Sequence, residues 1–130
     1  MINVDNRGVT VHLGNEKSFD LYDILKIVGN RGKQAVWQIS NAECFGSFAE
    51  LIHLLSDNDQ RVSGHDLYEL LERHNGQTIE GEFEAFDTTT GTAWLLIRFV
   101  RGDEVDIQTK DSELLGKIRS AFGNISDFVD

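Results

Sequence analysis

Cys44 and the four histidines, His12, His53, His65 and His74, are the residues with which this chain could attack an electrophile or carry a proton. A thiol becomes a useful nucleophile only when a neighbouring base or cation lowers its pKa. Cys44 stands in "NAECFG" with no such signature around it, and an isolated cysteine behaves as a small buried hydrophobe. His12 alternates with Val11 and Leu13, which places it on the outer face of a strand. His53 sits between Ile52 and Leu54 in a helical stretch, and His65 falls in the first turn of another. His74 falls in the last turn of that helix, where an imidazolium meets the negative end of the dipole. No two histidines have the i, i+4 spacing of a helical zinc pair, and one cysteine cannot build a zinc knuckle. Neither nucleophilic nor zinc chemistry is legible.

The carboxylates offer a second kind of chemistry. Asp57 and Asp59 in "DNDQRVSGHDLYE" begin like a calcium loop. The match then breaks, because Arg61 takes a ligand position, Val62 replaces the turn glycine and Tyr68 replaces the bidentate glutamate. With Asp103, Glu104 and Asp106 of "GDEVD", these residues leave a non-EF-hand Ca²⁺ site as an alternative. No other cofactor is expected. "GNRGKQ" lacks the strand–loop–helix setting of a phosphate loop, so Arg31 and Lys33 read as a solvated loop.

The third pattern is "QTIEGEFEAFD". Strand side chains repeat every two residues, so Glu80, Glu82, Glu84 and Phe86 share one face, and Ile79, Phe83 and Ala85 share the other. In "TAWLLIRFVR" the apolar set is Leu95, Ile97 and Phe99, so the two strands must pair odd with odd; a slip of one would turn a hydrophobic row into water. Arg98 then lies opposite or diagonal to Glu80 or Glu82, a pair worth roughly 0.2–1 kcal/mol. Trp94, Leu96 and Val100 fall on the glutamate face. The glutamates first mark the solvent side of a half-buried sheet and discourage strand-to-strand aggregation, but two aromatics there exceed what a solvated face needs. Either the terminal "ISDFVD" covers them, or Glu80, Glu82, Glu84, Phe86, Trp94 and Arg98 form an acid-rimmed partner site, with tryptophan as the hot spot.

The elements that would carry these groups emerge from periodicity. "INVDNRGVTVHL" predicts a hairpin turning at Asp5-Asn6-Arg7-Gly8. "SFDLYDILKIVGN" predicts a helix capped by Ser18, with Leu21, Leu25 and Val28 on one stripe and Gly29 as the stop. A strand comes next in "AVWQISNAECFG", with Trp37 and Ile39 on one face. "SFAE" predicts a helix with a Ser47–Glu50 capping box and an apolar set of Phe48, Leu51, Ile52 and Leu55. After the polar break "DNDQRV", Ser63 caps a helix carrying Leu67, Leu70 and Leu71 that ends at Asn75-Gly76. Three strands and a last helix from Asp111, with Leu114, Leu115, Ile118 and Phe122, complete the chain. Strands joined by short turns predict an α+β fold, with an antiparallel sheet of N-terminal hairpin, one middle strand and C-terminal three-strand meander. About four helices pack on one of its faces.

Residues 1–130 read as one acidic domain, with no proline and no low-complexity linker. Twelve Lys and Arg against 22 Asp and Glu give a net charge of −10. Phosphate backbones and anionic membranes repel such a surface, which excludes direct nucleic-acid binding and membrane association. No apolar run reaches the roughly 18 residues of a membrane span, and the amino terminus lacks a signal peptide's pattern. One cysteine suits a reducing compartment, so the expected location is cytoplasmic. The function expected is a non-catalytic binding or regulatory protein engaging a basic protein partner, in an inhibitor, immunity-type or adaptor role. The alternatives are the Ca²⁺ binder and a small enzyme of undetermined chemistry, and a homodimer is left open.

Overall fold

The computed structural model describes residues 7–13 and 19–129. Their strands are β1 (Arg7–His12), β2 (Val36–Gly46), β3 (Arg61–Ser63), β4 (Gly76–Phe86), β5 (Ala93–Val100), β6 (Glu104–Thr109) and β7 (Ile125–Val129). The helices are α1 (Leu21–Val28), α2 (Asn30–Lys33), α3 (Ala49–Asp57), α4 (Gly64–Arg73) and α5 (Ser112–Ala121). All seven strands join one antiparallel sheet in the order β3-β2-β4-β5-β6-β1-β7. The fold is α+β, with the β4-β5-β6 meander at the centre of the sheet. None of the described helices is long and apolar enough to cross a membrane.

The odd positions of the central strands make the core. Phe83 pairs with Ile97 and Ala85 with Leu95, while Ile97 in turn pairs with Ile107, which pairs with Val9. All six are fully buried. Over this face lie Leu21, Ile24 and Leu25 of α1, Leu67 and Leu71 of α4, and Leu114, Leu115 and Ile118 of α5. Each such side chain contributes about 1.5–3 kcal/mol when fully buried, so the odd-with-odd register is enforced by many kcal/mol.

Several expectations are corrected. Arg7 and Gly8, expected in a turn, are strand residues of β1, and the first half of the expected hairpin lies outside the described residues. Helix α1 starts from Asp20; Ser18 lies outside the described residues. The Asp20 carboxylate accepts hydrogen bonds from the Thr78 backbone N–H at 2.8 Å and the Thr78 hydroxyl at 3.2 Å, tying α1 to β4. The Ser47–Glu50 capping box does not form. Ser47 instead donates its hydroxyl to the Asn75 carbonyl and accepts the Asn75 N–H, and Phe48 occupies the N-cap. Leu51 is exposed rather than part of the helix's buried stripe. The polar break hides β3, and "NRGK" is the one-turn helix α2 rather than a loop. Ser63 does cap its helix, accepting the Asp66 N–H, and Asp111, at the expected start of the last helix, accepts the Leu114 N–H as its cap.

Two irregularities change which side chains face where. Between β2 and β4 the register shifts at Ser40/Glu43 and again at Glu43/Cys44. Cys44 therefore pairs with Thr78, and Thr78 is buried while Ile79, expected in the core row, is only half-buried. The second irregularity lies between Ala85 and Phe86, where Leu95 and Ala93 are the successive partners and Trp94 is the extra residue.

Candidate functional site

The sheet face opposite the core carries the predicted acidic set in ordered rows. Ser40, Glu82, Arg98, Asp106 and Thr10 stand side by side across five strands. Arg98 is directly opposite Glu82, as the register predicts. Its ion pair, however, is with Asp106, Nε to Oδ2 at 3.8 Å, and the Thr10 hydroxyl donates to Asp106 Oδ1 at 2.6 Å. Arg98 Nε is buried with no hydrogen-bond partner among the described residues. In the next row Gln38, Glu84, Leu96 and Gln108 align. Partial burial raises the Glu84 carboxyl above its ordinary pKa, the Glu82 charge adds to this, and the Arg61 guanidinium opposes it. Glu80 accepts the Arg101 backbone N–H at 3.2 Å.

The aromatics of this predicted set are separated. Phe86 is half-buried, with the Arg61 guanidinium 4.1 Å from its ring centroid. Trp94, the bulged residue of β5, leaves the glutamate face. It lies beside Val28 of α1 and Leu114 of α5, and the Arg31 guanidinium stacks 3.8 Å from its ring centroid. The expected Phe86–Trp94 patch therefore does not exist. The cause is the bulge itself, since one extra residue in a strand disturbs the alternation of faces on either side of it. Of "ISDFVD", Ile125–Val129 form β7 at the far edge of the sheet, away from β4 and β5.

Around Trp94 the structure builds something that residue types and spacing do not announce. A cleft of about 590 Å³ opens where the β4–β5 turn, the start of β5 and the β6–α5 junction meet. Arg31 enters it from α2. That helix is anchored by its next residue: Gly32 O accepts the Trp37 indole N–H at 2.9 Å, and Gly32 is packed so tightly that a Cβ would collide with the Tyr68 hydroxyl. Tyr68 Oη is held in turn against Leu25 O at 2.8 Å and Gly29 O at 3.1 Å. Only glycine permits this approach. Arg31 Nη1 then donates to Asp111 Oδ2 at 3.0 Å, while Asp111 Oδ1 accepts the Leu114 N–H of α5 at 3.0 Å. The cation pair of "NRGKQ" and the helix start at Asp111 were the visible signals, but nothing in the sequence joined them to Trp94.

The acidic clusters and the thiol complete the set of candidates. Asp59 accepts the Gln38 side-chain N–H at 2.8 Å, and Asp57 is at the end of α3. Asp103, Glu104 and Asp106 belong to the β5–β6 turn and to β6, on the other side of the central strands from β3. Glu104 contacts His12 at 3.2 Å. The two acidic groups do not converge, and among the described residues no three His, Cys, Asp or Glu side chains gather to hold a metal ion. Cys44 is buried, and that burial pushes its thiol up to about 11, the opposite of activation. His53 is close by, but its Nε2 accepts the Cys44 backbone N–H at 3.1 Å and serves the strand rather than the sulfur. No protein-family model, curated protein or solved structure matches the chain.

Proposed function

We propose that this chain is a non-catalytic binding protein whose open acidic sheet face receives a basic protein partner. The observation that carries the reading is the carboxylate-rich row on that face. Glu82 and Asp106 flank the cation Arg98, and Glu84 and Glu104 stand in neighbouring rows. The carboxylates of these rows are half-buried, whereas Phe83, Ala85, Leu95, Ile97, Val105 and Ile107 of the same strands are fully buried. Leu96, Val100 and Phe86 stand among the charges and supply apolar area. Such a surface draws a cationic partner by long-range attraction and holds it by apolar contact. Arg98 fixes orientation, because a partner carboxylate would find its guanidinium only in one register.

The test compares two variants of equal charge change in affinity capture from the native source. One carries Glu82→Gln and Glu84→Gln on the face; the other carries Glu69→Gln and Glu72→Gln on exposed α4. Retention of a basic protein by the wild type and the α4 variant, with loss by the face variant, supports the reading. Equal retention by both variants, or a captured partner that is itself acidic, refutes it.

A further inference from the structure

The cleft at Trp94 lies apart from the acidic sheet face, and its groups divide sharply into those already committed and those still available. Asp111 is engaged through both oxygens and Asp87 through one. Asp111 caps α5 and binds Arg31, while Asp87 Oδ1 accepts the N–H groups of Thr89 at 2.7 Å and Thr90 at 3.1 Å. The Thr109 hydroxyl is also committed, donating to Trp94 O at 2.6 Å and accepting the Asp111 N–H at 3.2 Å.

What remains is of the opposite character. Among the described residues, no acceptor takes the Trp94 indole N–H, Lys110 has no ion-pair partner, and the Thr92 hydroxyl has no hydrogen bond. Arg31 uses one of its five N–H donors on Asp111. The unspent groups of the cleft are therefore mostly donors: its two cations, Arg31 and Lys110, match its two carboxylates in number, and Asp87 Oδ2 is the carboxylate oxygen left over, in a chain whose net charge is −10. Its volume falls within the range of pockets that hold small organic molecules, roughly 300–1,000 Å³. Arg31 is preorganised, clamped between the Trp94 ring and Asp111, so little side-chain entropy remains to be lost when an acceptor arrives.

We infer that this cleft binds a small organic anion, a carboxylate or phosphate ester, with its charged oxygens on Lys110 and Arg31 and its apolar part against Trp94. The proposal is independent of the sheet-face reading, since Trp94 and the glutamate rows face different ways.

The experiment is a ¹⁵N-resolved titration of the full chain at constant ionic strength. The probes are phenyl phosphate, inorganic phosphate and, as the neutral counterpart, benzyl alcohol. Phenyl phosphate should give saturable shifts at the Trp94 indole N–H and the Thr92 and Lys110 amides, and bind more tightly than inorganic phosphate. Lys110→Gln should weaken it by about fivefold, the size of one exposed charge contact, and Lys110→Arg should preserve it. Lys110 is exposed, so neither variant burdens the fold. Shifts that never saturate, that centre elsewhere, that benzyl alcohol reproduces, or that survive Lys110→Gln unchanged would each overturn the inference.

Discussion

Asp111 serves two partners with its two oxygens, and replacing it in two ways separates them. Asp111→Ala removes the acceptor of the Leu114 N–H, which costs about 1 kcal/mol for a helix N-cap. It also removes the Arg31 ion pair. That pair is partly solvated, with the Arg31 side chain 52% and the Asp111 side chain 28% exposed, so screening leaves it at most about 0.5–1 kcal/mol. The alanine variant should therefore lose roughly 1.5–2 kcal/mol. Asp111→Asn retains a side-chain oxygen for the cap, and asparagine caps as well as aspartate. It should lose only the ionic part, no more than about 1 kcal/mol. Urea denaturation of both variants, at low and at high salt, checks the division. High salt should bring Asp111→Asn close to the wild type, because the wild type itself loses the screened attraction, while Asp111→Ala keeps the cost of its missing cap. If asparagine is as damaging as alanine at high salt, the cap is not what Asp111 contributes. If alanine is neutral, neither contact stabilises the fold.

Two further outcomes rest on packing and ionisation. At Gly64 a Cβ would collide with Gly32 O and stand 2.5 Å from Lys33 O, both backbone atoms that can yield only by moving α2. Gly64→Ala should cost at least about 1–3 kcal/mol by equilibrium denaturation, and a variant as stable as the wild type would show that α2 is free to shift. For Cys44, the rise from 9.0 to about 11 lowers the thiolate fraction near pH 8 by roughly a hundredfold relative to the unfolded chain. The sign is that of a raised pKa: the neutral thiol favours the fold below the unfolded value, and that contribution is lost as pH climbs through the folded one. Native protein should react with a disulfide reagent at pH 8 only as fast as it opens, and labelling as rapid as in urea would mean the thiol is accessible.

What was legible in the sequence, and what was not, divides along physical lines. Phe83 with Ile97 and Ala85 with Leu95 could be paired in advance, because burying one face of two alternating strands admits no other parity. The cap at Ser63 and the helix start at Asp111 were visible because the amides these residues accept lie three residues away along the chain. Ser47 has the same local signature, but Asn75, remote in sequence, competes for its hydroxyl and wins. The bulge at Trp94 leaves "TAWLLIRFV" looking like unbroken alternation, so nothing in the residue types announces that one side chain has changed faces. The cleft was hidden for the same reason. Its parts come from α2, the β4–β5 turn and the start of α5, and only the fold brings them together.

The two outer sides of the sheet are finished differently, and this sets a limit on how copies could combine. Along β2, beyond the short β3, helix α3 presents the Ser56 hydroxyl to the Ala42 N–H at 3.1 Å and the His53 imidazole to the Cys44 N–H. Those amides are no longer available to a foreign strand. At the other side, β7 pairs only with β1 among the described residues. The border strand on the α3 side, β3, spans only Arg61–Ser63, so a strand added there finds a ladder of three residues. Two molecules meeting through β7 would each turn outward a side on which β3 offers three residues and helix α3 holds the Ala42 and Cys44 amides of β2. A border that short and that interrupted is a poor template for continued strand addition, so association through β7 would favour a pair over a fibre.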